Sequence, residues 1–208
     1  MQKSIDFLGY IILILFSVIV IGKAHSGIIY QPNCDSIEDI NKPIKVTGYT
    51  IKPGTDTTWD FPRTIVSDHL VVDSGAVLTI TSSVYFANYR KIVVKRGGKL
   101  VLDGGILSNT CDQVWQGIEL WGRSDYPPDS IHYQGQVVLK NGAVIENAEY
   151  GIRTIKVDGI PDESETLDYD YTGGIVSAGN STFRNCRYGV QFHPYGFENQ
   201  SGFYKTTF

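Results

Sequence analysis

The sequence holds three cysteines and one methionine in 208 residues, and it has no long stretch of the Ala, Leu, Glu and Lys that build helices. Three cysteines are too few for a disulfide-dense framework, so the chain must rely on a packed interior. Positive charge is not in excess. With 18 basic and 22 acidic residues the formal net charge is -4, which lacks both the footprint of a nucleic-acid binder and the polybasic patch that anionic lipid attracts. His25, His69, His132 and His193 are scattered and make no metal-ligand spacing. No Ser or Cys stands in a nucleophile motif with a paired His. The pairs Gly97-Gly98, Gly104-Gly105 and Gly173-Gly174 suit turns rather than a phosphate-cradling loop. What remains is a globular composition, 42% apolar and 19% charged, long enough for one domain with a real core. Val, Ile, Thr and Tyr recur throughout, which favours strands.

The one long apolar run lies at the N-terminus. Phe7 to Gly22 carries no charge, Lys3 and the α-amine precede it, and Ala24-His25-Ser26 places small residues at the -3 and -1 positions of a cut after Ser26. This is the layout of a secretory signal over residues 1–26. Sixteen helical residues reach only about 24 Å against a bilayer core of ~30 Å, which favours cleavage over anchorage. Contact with a membrane is then expected only through this segment if it stays uncleaved. Outside the cytoplasm Cys34 and Cys111 are candidates for a disulfide, and the odd count leaves a thiol free. Cys186 stands at a repeat position that elsewhere holds Ala148, which fits a small buried thiol.

The rest of the chain repeats. Leu107, Ile145 and Phe183 are each 38 residues apart, and each is followed two places later by Asn: Asn109, Asn147 and Asn185. Trp115-Gln116-Gly117-Ile118 is echoed by Tyr150-Gly151-Ile152 and Tyr188-Gly189-Val190. Gly75-Ala76-Val77-Leu78 is echoed by Gly98-Lys99-Leu100-Val101 and Gly142-Ala143-Val144-Ile145, with Gly75 to Gly98 spanning 23 residues and Gly98 to Gly142 spanning 44, or twice 22. A period near 22 with short strands and Gly turns predicts an all-β solenoid, a right-handed parallel β-helix. Alternate side chains would fill a shared interior as aliphatic ladders, and the Asn residues would form a ladder of amides. Residues 27–66 are expected to cap the first coil and 67–208 to form the coils. Two insertions exceed the period: Gly122 to Gln136, polar and proline-containing, and Lys156 to Gly174, acidic. Thr206-Thr207-Phe208 restates Ser181-Thr182-Phe183, so the chain reads as a fragment that stops as another coil begins.

The phrases Trp115-Gln116-Gly117-Ile118-Glu119-Leu120-Trp121-Gly122 and Val144-Ile145-Glu146-Asn147-Ala148-Glu149-Tyr150-Gly151-Ile152 resemble the secreted right-handed parallel β-helix repeat proteins of the Bacteroidetes type. Asp68 to Ile80 is similar to their first coil and Cys34 to Trp59 to their N-terminal cap. The resemblance covers roughly residues 59 to 208. It implies export and a fold shared with pectate lyases and other polysaccharide-active enzymes, and it implies little about activity.

Candidate chemistry gathers at the insertions. Trp121, Arg123, Tyr126 and Tyr133 join aromatic faces to a cation around the first one, a combination that suits sugar rings. The second carries Asp158, Asp162 and Glu163 among its carboxylates. Hard oxygen ligands of this kind hold Ca²⁺, although no calcium-loop pattern accompanies them. Arg153 would join this loop if it faced outward, and ordinary solvation is its simpler fate. No catalytic constellation and no cofactor beyond calcium is legible. The expected function is therefore an extracellular or cell-surface scaffold or binding module without catalysis of its own, adhesive or glycan-binding. Its partner would be a polysaccharide or another surface component. The alternative is a polysaccharide lyase or glycoside hydrolase of the β-helix type.

Overall fold

The structure, a computed structural model, describes residues 44–65, 68–110, 114–159 and 164–208. The signal segment and the pair Cys34 and Cys111 lie outside the described residues. Among the described residues the secondary structure is β, apart from one 3-10 turn at Tyr169–Tyr171.

Short strands follow one another in chain order. The first six are β1 (Ile44–Val46), β2 (Tyr49–Ile51), β3 (Asp56–Trp59), β4 (Arg63–Ile65), β5 (Leu70–Val72) and β6 (Val77–Ile80). Then come β7 (Ser83–Phe86), β8 (Lys91–Val94), β9 (Lys99–Asp103), β10 (Ile106–Asn109), β11 (Trp115–Leu120) and β12 (Gln136–Lys140). The last are β13 (Ala143–Glu146), β14 (Ala148–Arg153), β15 (Lys156–Asp158), β16 (Thr166–Asp168), β17 (Ile175–Arg184), β18 (Tyr188–Gln191) and β19 (Gly202–Thr207). Except for the antiparallel pair β15–β16, every pairing is parallel, and the strands stand in three columns. One column runs β3-β6-β9-β12-β17, the second β1-β4-β7-β10-β13-β17, and the third β2-β5-β8-β11-β14-β18. The ten-residue β17 belongs to two columns, its first half beside β12 and its second beside β13, and β19 follows it in both. The chain thus visits the columns in rotation. The stretch expected to form a cap supplies β1 to β4, which lie in these same columns.

The register explains why these residues form these strands. Alternate side chains point inward, as in β6 and β9. Inward residues stack like on like: Leu78 beside Leu100 beside Val137 beside Val176, and Leu70 beside Ile92 beside Ile118 beside Ile152. The second column stacks Val84, Leu107, Ile145 and Phe183, and the ring of Phe183 lies parallel to Phe208 at 5.1 Å. Each fully buried aliphatic or aromatic side chain contributes about 1.5–3 kcal/mol, and no strand of three or four residues could bury its own. Trp115, fully buried, packs against Phe86 at 4.4 Å and donates its indole N–H to the Glu146 carbonyl at 2.8 Å.

From β10 through β13 to β17 the side chains stack at the 38-residue spacing. Asn185 Nδ2 donates to Asn147 Oδ1 at 2.6 Å, 38 positions earlier, and both have left-handed backbones that asparagine tolerates. The ladder changes character one step further back. Asn147 Nδ2 donates to the Ser108 hydroxyl at 3.3 Å, and Ser108 in turn reaches Asn109. Cys186 packs against the core, as its small size suggests, and burial raises its thiol to about 11.

Two sequence alignments are corrected. Gly142 is not the successor of Gly98, because β13 stands in the second column beside β10, while β9 pairs with β12. Gly135 is the residue that stacks on Gly98, so the apparent double period of 44 is coincidence. Gly117 faces Tyr150 rather than Gly151, because the register shifts by one between Gly117 and Ile118. The shift needs a glycine: Gly117 has φ +88, and a Cβ there would fall inside the Tyr150 carbonyl oxygen.

Candidate functional site

The two insertions leave the columns at the C-terminal ends of β11 and β14 and build two neighbouring groups of polar side chains. The first insertion is ordered from within by Gln134, which is fully buried. Its amide nitrogen lies within hydrogen-bond distance of the Arg123 and Tyr126 carbonyls and the Tyr195 hydroxyl, and its amide oxygen accepts from the Arg123 backbone N–H. A buried amide satisfied on both ends holds a loop in one shape. On that frame the rings of Tyr126 and Tyr133 lie 3.9 Å apart, and the Arg123 guanidinium sits 4.7 Å from one ring centre and 5.6 Å from the other. Asp125 takes two bonds from Arg123, at 2.8 and 3.2 Å, and this pairing holds its carboxyl below the usual range. Arg123, Tyr126 and Tyr133 therefore come together as the sequence suggests. Trp121 does not join them. Its ring meets Tyr171 edge-on at 5.2 Å and its N–H goes to Glu119. Arg96, from the turn after β8, closes the gap between the groups: it covers Tyr171 at 3.7 Å and donates to the Gly122 and Asp170 carbonyls.

The second group lies on the outer face of the third column. Val93, Glu119, Arg153 and Gln191 are register neighbours there, all pointing away from the core. An outward Glu and Arg should be solvated, yet both are buried. The cause is the acidic insertion, which folds back over the sheet as the hairpin of β15 and β16, a structure that its aperiodic sequence does not announce. Glu119 accepts from Lys91 Nζ, from Trp121 Nε1 at 3.1 Å and from the Val157 backbone N–H at 3.4 Å. Arg153 forms a forked pair with Glu165, every contact at 3.1 Å, and lies over the Tyr150 ring at 4.3 Å. Burial raises the Tyr150 hydroxyl above its ordinary value. Tyr150 also stacks on Tyr188 at 5.1 Å.

Between these side chains and the strand ends is a cavity of about 60 Å³, lined by His69, Tyr89, Lys91, Glu119, Arg153 and Glu165 among others. Two buried polar atoms have no hydrogen-bond partner among the described residues, Arg153 Nε and His69 Nδ1, and both belong to residues that line this cavity. The His69 ring is held down to about 4, first by burial and then by the Lys91 charge, so it is neutral at pH 7. Tyr89, 52% exposed, has φ +59. A bulky residue in this region costs about 1–3 kcal/mol and is found where the surroundings demand it.

Of the calcium candidates, Asp158 pairs with Lys156 at 2.6 Å, while Asp162 and Glu163 lie outside the described residues. Among the described residues no group of three or more His, Cys, Asp or Glu side chains is placed to hold a metal ion. The carboxylate that meets Arg153 is Glu165. Sequence reasoning passed over Glu119, Lys91, His69 and Tyr89. Each reads locally as a solvated residue at a strand or turn, and only the fold-back of a distant insertion makes them one site.

No protein-family model, curated protein or solved structure matches the chain.

Proposed function

We propose that the chain is a right-handed parallel β-helix exported from the cytoplasm, and that it serves as a binding module for polysaccharide at or beyond the cell surface. The rotation of the chain through three parallel columns supports the β-helix, since up to β14 every third strand returns to the same column. Parallel crossovers are right-handed in nearly all proteins. Export rests on the apolar run Phe7 to Gly22 with Lys3 ahead of it and Ala24-His25-Ser26 behind.

The observation that carries the binding function is the pair of Tyr126 and Tyr133 under the Arg123 guanidinium, held in place by the buried Gln134. Tyrosine rings beside a charged fork offer a flat apolar face with hydrogen-bonding groups at its rim, and the frame beneath lowers the entropic cost of binding. Affinity gel electrophoresis of the purified protein against soluble plant, algal and bacterial polysaccharides tests this. At least one polysaccharide should retard the protein, and the double variant Tyr126→Ala, Tyr133→Ala should run free. Retardation by none, or equal retardation of the variant, overturns the reading.

A second reading, a polysaccharide lyase or glycoside hydrolase, is favoured by the convergence of Glu119, Lys91, Arg153 and Glu165 on one outer face. Both carboxylates are engaged by cations, which suits a binding role better than proton transfer. New unsaturated or reducing ends after incubation with pectin or alginate would establish the enzyme reading instead.

A further inference from the structure

The two insertions meet at a cleft of about 390 Å³, lined by Arg96, Arg123, Ser124, Asp125 and Asp170. That volume falls within the range of small-molecule sites, roughly 300–1,000 Å³. Backbone carbonyls hold the lining together. Arg96 Nη2 and the Ser124 backbone N–H both donate to the Asp170 carbonyl, at 2.6 and 3.3 Å, so the two donors are neighbours. Arg96 Nε donates at 2.7 Å to the carbonyl of Gly122, the residue before Arg123. With the Tyr171 ring 3.7 Å away as well, the Arg96 guanidinium is fixed from three directions. Fixing so long a side chain costs entropy that ordinary solvation does not ask for. The fixed groups keep hydrogen-bonding capacity in hand. Arg96 Nη1 and Arg123 Nη1 donate to nothing among the described residues, and the Asp170 carboxylate accepts nothing there.

The lining selects the ligand by charge. Two guanidinium groups stand with two carboxylates, and Arg123 is already paired with Asp125 at 2.8 Å. An anion would meet Asp125 and Asp170, and a cation would meet Arg96 and Arg123, each against like charge. An apolar ligand would cover the free N–H groups and leave them unsatisfied. An uncharged ligand that accepts from arginine and donates to aspartate satisfies both, and hydroxyls do each. Because Arg96 is bonded to the carbonyl of Asp170, the carboxylate of that same residue stands within the span of one sugar ring. The geometry points to a subsite for one neutral sugar residue, with one hydroxyl accepting from Arg96 Nη1 and another donating to the Asp170 carboxylate. Arg123 lines the cleft and also lies over the Tyr126 and Tyr133 rings, so the polysaccharide passes from the cleft onto that pair. The inference rests on the proposed binding function and names its ligand as a neutral polysaccharide rather than a polyuronate.

The test compares two sets of gels. Hydroxyethyl cellulose, xyloglucan, galactomannan and laminarin are the neutral polymers, and polygalacturonate and alginate are the acidic ones. The dissociation constant is read from retardation against polymer concentration. At least one neutral polymer should retard the purified full-length protein more strongly than either polyuronate. The Asp170 side chain is exposed and holds nothing among the described residues, so Asp170→Ala should melt with wild type. Its affinity for the neutral polymer should fall about ten-fold, the value of one hydrogen bond to a charged group. Retardation by a polyuronate as strong as by any neutral polymer overturns the inference, and so does an Asp170→Ala variant that binds unchanged. In either case the proposed function still stands if the double variant Tyr126→Ala, Tyr133→Ala runs free. Weakened binding by Asp170→Ala beside an unaffected double variant does the reverse, keeping the cleft and removing the tyrosine pair. Retardation by no polymer removes both.

Discussion

At the residue scale the buried groups of the outer face have measurable consequences for stability. His69 is neutral in the folded protein down to about pH 4, because burial and the nearby Lys91 and Arg90 outweigh the opposing pull of Asp68. The unfolded chain takes up that proton near pH 6.5. Between these values the unfolded state binds more protons, so the His69 contribution to stability is complete above about 6.5 and is lost as the pH falls toward 4. Urea midpoints from pH 7 to 4 should decline, and His69→Gln should decline less steeply over that window. Glu165 makes a second case. Its side chain is 20% exposed, but its partner Arg153 is only 8% exposed and would be left with a charge and no counter-ion. Glu165→Gln should therefore destabilise the fold by about 3 kcal/mol, read from denaturant unfolding. A loss under half of that would mean that water reaches the guanidinium more freely than its burial indicates.

At the scale of elements, the joints between strands decide more than the strands themselves. The step in register in β11 depends on one residue. Gly117→Ala meets the Tyr150 carbonyl and also requires φ +88 from alanine, so it should cost about 3 kcal/mol or more and lower the melting temperature sharply. Gly142 also has a positive φ, +83, but open space around it, so Gly142→Ala should cost only the backbone penalty of about 1–2 kcal/mol. The asparagine ladder separates two effects in the same way. Asn147→Gly keeps the left-handed backbone at φ +57 and loses the Asn185 contact, for about 1 kcal/mol. Asn147→Ala loses both and should cost about 2 kcal/mol. Thermal melts of the two variants should fall in that order.

At the scale of the whole molecule, a stack of parallel strands leaves edges. Among the described residues β19 pairs with β17 on one side only, and Phe203, Tyr204 and Phe208 beside that edge are 39%, 68% and 67% exposed. An exposed edge with aromatic side chains templates pairing with a further strand. The purified protein should self-associate with rising concentration in sedimentation velocity, and Tyr204→Lys should shift it toward monomer. A wild-type monomer at high concentration would show the edge to be protected. The outer face is the more distinctive feature at this scale. Glu119 pairs with Lys91, 28 positions earlier, and accepts from the backbone N–H of Val157, 38 positions later, so the insertion acts as a cover on the sheet.

What the sequence determined by itself is the part of the structure that depends on neighbours one repeat away. The alternation of inward and outward residues, the stacking of Leu107, Ile145 and Phe183, the Asn147–Asn185 contact and the pairing of Ser181 with Thr206 were all legible, because each needs only a like residue at a fixed spacing. Arg123, Tyr126 and Tyr133 were legible for the same reason, being held within one short insertion. Tertiary structure alone decided which column each glycine turn serves, and so separated Gly98 from Gly142. It also decided that Glu119 and Arg153, outward residues by every local sign, are buried beneath a hairpin that the chain forms after leaving the sheet. Burial is a sum over everything that packs against a residue. No spacing in the sequence records that an acidic insertion will lie across strands laid down many residues earlier.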